Sequence, residues 1–284
     1  MELVSRRQDV AFAIAQWGLS ERRACGLLGV ERSSHRYQAA KQKDEAMKQE
    51  LGKLAREHPR YGYRRLTVLL CRSGHVANHK RVWRLYRALE LGVRRCRRRK
   101  LYRTAPQASL LTAANQEWAM DFVSDATASG QRLRVLTVVD SYTRECLEIQ
   151  TGTSLGSARV TGVLARVAES RGLPWAIRVD NGPEFTSRHF RTWCEQKGVG
   201  ILHIAPGKPT QNAIVESFHA RFRDECLNAN WFWNLADART KITLWREHYN
   251  YRRPHSSLGY RTPAEFRAGH PLPPGCPAIL THKQ

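Results

Sequence analysis

One helix, the interior of one strand and the end of another carry the residues of this chain that could do chemistry. Residues 212–226, NAIVESFHARFRDEC, contain no Gly or Pro and repeat large apolar side chains at helical spacing. At about 100° per residue, Ile214, Val215, Phe218, Phe222 and Cys226 fall on one broad face that must be buried. Asn212, Glu216, His219 and Arg223 fall on a second stripe, roughly a quarter turn away. Glu216 is the sole acid there, because Asp224 and Glu225 point elsewhere. A solvated salt-bridge partner is the plain reading of Glu216. The sharper one is a metal-binding carboxylate, because an amide, an imidazole and a guanidinium beside it suit a phosphate next to a cation.

Two aspartates lie far upstream. In EWAMDFVS, Trp118, Met120 and Phe122 alternate with Ala119, Asp121 and Val123, so Asp121 is a charge inside a hydrophobic strand. Burying such a charge costs several kcal/mol unless a cation or a proton answers it. Asp180 ends WAIRVD, where the chain must turn. Ligand groups of open α/β sheets gather at such strand ends. An aspartate before Asn181-Gly182 is also an ordinary turn former, and on local grounds that reading of Asp180 comes first. Rival acids are Asp125, Asp140, Glu148 and Glu184. Asp140 ends a strand and Glu184 opens a helix, so both read as turn or capping groups.

The segments DFV, DNGPEF and GKPTQNAIVESF, with the following RFRDECL, link the three acids. They resemble the signature of the DDE transposases and retroviral integrases, nearest to the second-reading-frame product of the IS-three family of insertion sequences. Asp121 and Asp180 match the family's two aspartates and Glu216 its glutamate. The 35 residues between Asp180 and Glu216 match its spacing. Arg223 matches its basic residue two turns on. Residues 250–266 resemble its C-terminal stretch, and residues 60–100 its basic helix-turn-helix region. His219-Ala220 stands where relatives often carry Asn-Gly.

The resemblance implies a transposase that cleaves and transfers DNA strands at the terminal inverted repeats of its own element. It implies two Mg²⁺ ions, with Mn²⁺ able to substitute. Asp121 would bridge them, Asp180 would hold one and Glu216 the other. Carboxylates suit such hard cations, and two ions can neutralise the attacking and leaving oxygens of a phosphodiester. Arg223, Asn212, Lys208 and His219 would position phosphates. The implied partners are double-stranded DNA, further copies of the chain on that DNA, and an upstream-frame protein as fusion or partner. A non-catalytic repressor or architectural protein on a dead transposase scaffold is the alternative that shares the DNA-binding features.

The elements that must position these groups can be read along the chain. EWAMDFVS (117–124), LRVLTVVD (133–140) and ECLEIQT (145–151) are strand candidates. A helix over 155–171, a strand at 175–180, a helix near 184–197, a strand at 200–205 and helix 212–226 follow. Three meandering strands followed by alternating units predict a mixed α/β sheet with helices packed on it, resembling a ribonuclease H-like fold. The last long helix, 235–250, gives way to a Pro-rich stretch read as loop and tail.

Upstream the chain reads as all-α. A helix candidate at 8–17 precedes LSERRACGLLGVERSSHRYQ, a helix-turn-helix candidate with Ser20 as cap and Gly29 as terminator. A helix at 44–57 leads to a second pair at 60–74 and 78–91, the latter capped by Asn78. Lys80, Arg81, Arg84 and Arg87 stud that last helix. Arg94, Arg95, Arg97, Arg98, Arg99 and Lys100 extend the stripe, which should grip DNA phosphates and release counterions. The expected organisation is therefore N-terminal helices at 1–43 and a basic helix-turn-helix region at 44–103. A linker at 104–115, a catalytic core at 116–230 and a completing helix and tail at 231–284 follow.

The totals agree with that division. The formal net charge of +22 points to a polyanionic partner. Residues 1–103 hold 26 Lys and Arg against 9 Asp and Glu, and the remainder 21 against 16. The grip is concentrated upstream, and the acids are kept where a catalytic domain needs them. The seven cysteines include no CxxC pair and His75 and His79 have no cysteine pair with them, so no zinc site is expected and the thiols read as reduced and mostly buried. No membrane-spanning run or signal peptide is read, which predicts a cytoplasmic, nucleoid-associated protein with no membrane partner.

Overall fold

A computed structural model describes residues 3–37, 44–93, 111–205 and 212–269. The chain divides into two compact units, Met1–Glu50 and Leu51–Gln284.

The first unit holds α1 (Leu3–Trp17), α2 (Glu21–Leu28) and α3 (Arg32–Arg36). Ser20 caps α2 by accepting from the Arg23 amide, and Gly29 ends it in the left-handed region at φ 60°. Both are the residues whose chemistry predicts those boundaries. Val10 and Ala13 of α1 pack on Ala24, Cys25 and Val30. The α1 helix starts earlier than the apolar pattern indicates, because the polar run Ser5–Asp9 interrupts that pattern after Leu3 and Val4. Helix α4 (Glu45–Glu57) follows.

In the second unit, α5 (Tyr63–Arg72) and α6 (His79–Ala88) form the expected pair. Asn78 caps α6 by accepting from the Lys80 amide. Leu66, Val68, Leu70, Val82, Leu85 and Tyr86 are buried. The sheet comprises β1 (Glu117–Ala126), β2 (Arg132–Asp140), β3 (Cys146–Gly152), β4 (Ala176–Val179) and β5 (Gly200–His203). Its order is β3-β2-β1-β4-β5. The meander β1-β2-β3 is antiparallel, and β4 and β5 run parallel to β1. This is the mixed sheet that the strand order predicts.

Helices cover both faces. Trp118, Met120, Leu136 and Val138 pack on one face with α7 (Ser157–Arg171), α8 (Pro183–Thr186) and α9 (Arg188–Lys197) through Val160, Leu164, Phe185 and Phe190. Val123, Leu133, Val135 and Val139 pack on the other with α10 (Ala213–Glu225) and α11 (Leu235–Tyr251), through Phe218, Phe222, Ile242 and Trp245. The alternation of β1 thus puts Asp121 on the α10 side.

Two sequence-based expectations are corrected. The single helix near 184–197 is two, α8 and α9, because Ser187 is extended (φ −61°, ψ 148°) and its hydroxyl caps the Phe190 amide. The stretch beyond 250 is not all loop. A 3₁₀ turn at Ser256–Leu258 precedes α12 (Pro263–Arg267), which opens with a complete capping box between Thr262 and Glu265 and Pro at its start. Thr-Pro-Ala-Glu is a helix-start signature that a Pro-rich composition hides. Residues 104–110, most of the expected linker, and the tail beyond 269 lie outside the described residues.

The sheet edge at β3 is closed by a side chain. Asn250, at the end of α11, accepts from the Cys146 amide at 2.9 Å and donates to the Cys146 carbonyl at 2.8 Å. It replaces a strand partner next to the register shift at Val138/Val139. Asn250→Leu strands both buried backbone groups and should cost about 2–4 kcal/mol. The check is a urea titration, in which the midpoint falls and the slope stays the same.

Candidate active site

Parallel pairing of β1 with β4 sets the first two carboxylates side by side. Ala119 is level with Arg178. Asp121 lies two residues beyond the one and Asp180 two beyond the other, on strands about 4.8 Å apart. Asp121 keeps its side chain 26% exposed. Its Oδ1 accepts from the Phe122 amide at 2.6 Å. Burial pushes the Asp121 carboxyl up to about 6; the Phe122 amide opposes this, and the charges of Asp180 and Glu216 add to the rise. Two acids distant in sequence, Asp180 and Glu216, therefore act electrostatically on Asp121.

Glu216 is exposed on α10, in the first turn of the helix. His219, one turn on, faces inward. Its Nδ1 stands 3.5 Å from Asp121 Oδ2, and its Nε2 is 2.8 Å from Thr137 Oγ1. Thr137, the register partner of Asp121 on β2, donates to the Asp121 carbonyl at 3.1 Å. Burial and then Arg223 hold His219 down to about 4. The imidazole is therefore neutral at pH 7, and its approach to Asp121 is not an ion pair.

Asp180 also builds its turn, with Oδ1 accepting from the Gly182 amide at 3.0 Å. A Cβ on Gly182 would stand 3.0 Å from Asp180 Oδ1 and 3.5 Å from Glu184 Oε2, so a larger residue there would press on the Asp180 carboxylate. Glu184 is held by Arg134 at 2.5 Å, and that hydrogen bond keeps its carboxyl below the usual range. The Arg134 guanidinium lies 4.0 Å over the Phe122 ring. Glu184 Oε2 is buried without a hydrogen-bond partner among the described residues. Asp140 accepts from Asn115, Tyr142 and Thr143 and builds the β2–β3 turn. Glu148 pairs with Arg246 at 2.9 Å. Asp125 accepts from the Ala126 amide.

The other sequence-derived residues are dispersed. Asn212 is buried, 4% exposed, with Oδ1 lacking a hydrogen-bond partner. Arg223 is exposed. Lys80, Arg81 and Arg84 line a cavity of about 340 Å³ on α6 with Asn78. Arg87 is exposed, its guanidinium 5.8 Å over the Trp83 ring. Lys208, Arg94, Arg95, Arg97, Arg98, Arg99 and Lys100 lie outside the described residues. Sequence reasoning missed Thr137 and Arg134. Both sit on β2, where alternation gives the face of a side chain but not its partner across the sheet.

Among the described residues, no group of three His, Cys, Asp or Glu side chains is gathered at metal-coordinating spacing. The donor chemistry nonetheless fits a divalent cation. The coupled groups are all carboxylates, the set that hard cations prefer. Their mutual repulsion raises the proton affinity of Asp121, and a cation would relieve that repulsion.

Comparison with known proteins supplies independent findings. Residues 112–209 and 197–263 match integrase core domain profiles, and residues 41–100 match an HTH-like domain. The chain is 47% identical over 264 residues to the insertion element IS407 uncharacterized 31.7 kDa protein of Burkholderia multivorans, covering 92% of this chain and 95% of that protein. It is 28% identical over 224 residues to the putative transposase InsK for insertion sequence element IS150 of Escherichia coli, covering 73% and 77%. A chain of the simian T-cell lymphotropic virus intasome in complex with PP2A regulatory subunit B56 gamma superposes with a TM-score of 0.50 at 17% identity, covering 79% of this chain and 76% of that one. That likeness is one of fold, a ribonuclease H-like integrase core preceded by helices.

The raised Asp121 carboxyl has a sign that can be measured. Its folded value of about 6 lies above its ordinary 3.8, so the folded state binds the proton more tightly. This group adds stability as pH falls from about 6 towards 3.8, and adds none above. Asp121→Asn should therefore stabilise the metal-free protein at pH 7 by about 1–2 kcal/mol, allowing for solvent screening. The gain should vanish near pH 4. Denaturant midpoints of both proteins across that range test it, and equal midpoints at pH 7 would refute it.

Proposed function

From the premise that the chain belongs to the insertion-sequence transposases of the IS-three family, within the DDE integrase superfamily, we propose that it cleaves and rejoins DNA. Its substrates are the terminal inverted repeats of its own element. The observation that carries this reading is the half-buried Asp121, whose charge is coupled to those of Asp180 and Glu216.

Asp121, Asp180 and Glu216 would hold two Mg²⁺ ions, or Mn²⁺ in their place. When bound, such ions supply charge neutralisation at the attacking and leaving oxygens of the phosphodiester and align them. The rigid sheet fixes Asp121 and Asp180, whereas Glu216 approaches from a helix. Thr137 braces the Asp121 backbone and the neutral His219 flanks its carboxylate, which limits the rotation of Asp121. Arg134 engages Glu184 and so draws a fourth acid away from the three. Arg223, exposed on the Glu216 stripe, orients a phosphate of the scissile strand. One such site serves two displacements: water attacks an end phosphodiester and its P–O3′ bond breaks to free a 3′-hydroxyl, which then attacks a phosphodiester of a second strand and displaces that strand's own 3′-oxygen as a hydroxyl. Neither needs a covalent protein intermediate.

The basic region at 44–103 would grip the DNA, with Lys80, Arg84 and Arg87 on α6 as phosphate contacts. Joining two element ends calls for more than one copy on the DNA. An upstream-frame protein, as fusion or partner, is part of the same reading. Among the described residues, no helix is long and apolar enough to cross a membrane.

Glu216→Gln keeps the size of the side chain and removes its charge. Binding to a terminal-repeat duplex should stay within about twofold, while Mg²⁺-dependent nicking and joining should fall by more than about 100-fold, the scale on which loss of one charge-stabilising group acts. Gel assays of binding and joining on the same duplex decide it. Normal joining by the variant would refute the role of Glu216.

A further inference from the structure

Four arginines converge on a cleft of about 300 Å³ lined by a different stripe of α10, that of Ile214, Ser217 and Arg221, from the one bearing Glu216. Arg65 comes from α5, Arg144 from the β2–β3 turn, Arg221 from α10 and Arg253 from the segment after α11. The cleft thus includes part of the RRPHSS stretch that the acid site does not use.

Its charges do not balance. No acid is among its described lining residues, and Glu225 lies behind two of the arginines. It accepts two hydrogen bonds from Arg253, both at 2.6 Å, and Arg65 approaches it at 3.6 Å. Arg253 is 2% exposed, so this pair is a buried frame. The guanidinium groups of the half-buried Arg144 and the exposed Arg221 make no hydrogen bond or ion pair with a described residue. The acids that attract Arg144 at longer range, Asp140 and Glu117, are committed to the turn amides and to Arg178. Burial pulls Arg144 below the usual guanidinium range, and burial together with Arg253 brings Arg65 to about 10.

Backbone geometry adds an independent observation. Arg144 has φ 62°, a left-handed conformation that favours Gly or Asn. The fold thus holds a long cation at a strained turn position, partly buried and without an acid. Surplus positive charge in a half-buried cleft is unfavourable until an anion fills it. Hydroxyls of Ser217 and Ser257 line the same space, as the donors of an oxyanion site would.

We propose that this cleft is a phosphate subsite that takes one backbone phosphate of double-stranded DNA, with Arg144 and Arg221 as its ligands and Arg65–Glu225–Arg253 as its frame. The choice of DNA rests on the function proposed above and on the charge of the chain. Arg65 belongs to the helix pair that carries the basic face of α6, so a strand held there and led to Glu216 has α10 in its path.

The test uses the full chain and a terminal-repeat duplex, with affinity measured against salt concentration. The double variant Arg144→Gln/Arg221→Gln should bind at least about tenfold more weakly, and its salt slope should fall by about one. Arg144→Lys/Arg221→Lys should restore most of the slope, which separates lost charge from a damaged fold. If the wild type binds no DNA, the function proposed above fails. If it binds and the Gln variant matches it in affinity and slope, the subsite is refuted. If inorganic phosphate raises the melting temperature of the wild type but not of the Gln variant, and DNA affinity is the same in both, the cleft takes a small anion and the DNA assignment is overturned.

Discussion

A carboxylate held where its charge is poorly solvated, with two more acids acting on it, is the constraint on which the rest of this structure depends. Left to itself, Asp121 would turn to solvent or take a cation. The sheet prevents the first: the strand register puts Asp121 opposite Thr137, with Ala119 and Val123 buried on its own face. The flanking chain is fixed because Trp118 and Met120 bury their side chains on the opposite face. Such fixing draws on core burial, at about 1.5–3 kcal/mol for each large apolar side chain. The surroundings leave the charge unanswered, since His219 is neutral and Arg134 is engaged by Glu184.

Much of this can be read from local chemistry. Ser20, Gly29 and Asn78 set helix ends because their side chains or conformational freedom act within one turn. The faces of β1 and α10 follow from periods of 2 and 3.6, so Asp121 and Glu216 were assignable to faces before any tertiary contact was known. What could not be read is what depends on partners across the fold. The closure of the β3 edge by Asn250 acts over 104 residues. The brace on Asp121 comes from Thr137 and His219, which are 82 residues apart. The cleft arginines come from four separate elements, and no window of sequence contains more than one of them. Ser187 was missed for the opposite reason: a hydroxyl within a continuous helical pattern is silent until its backbone is seen to be extended.

The arginines also correct the simplest inference from net charge. The surplus of cations is not all directed outward. Arg178 holds Glu117, Arg171 and Arg267 hold Glu145, and Arg253 holds Glu225. These residues count towards the basic total while serving the fold. Arginine suits them because its planar fork can satisfy both oxygens of a carboxylate at once. The cations of α6 are of another kind, borne on a helix whose buried face already fixes it.

That contrast separates structural acids from the candidate functional one. Glu117 and Glu145 are almost wholly buried, Glu225 and Glu184 nearly so at their side chains, and each has an arginine within hydrogen-bonding distance. Asp140, 1% exposed, has no arginine but accepts four hydrogen bonds, from Asn115, Tyr142 and Thr143. Each of these acids has an arginine or several hydrogen bonds to set against its burial, although burial still raises the Glu145 carboxyl. Asp121 accepts one amide hydrogen bond and otherwise faces acids and a neutral imidazole. Among the described residues, a fold that supplies arginines to Glu117, Glu145, Glu184 and Glu225 and withholds one from Asp121 leaves a deficit of positive charge there. The proposed ions would fill that deficit, and a guanidinium in the same place would compete with them.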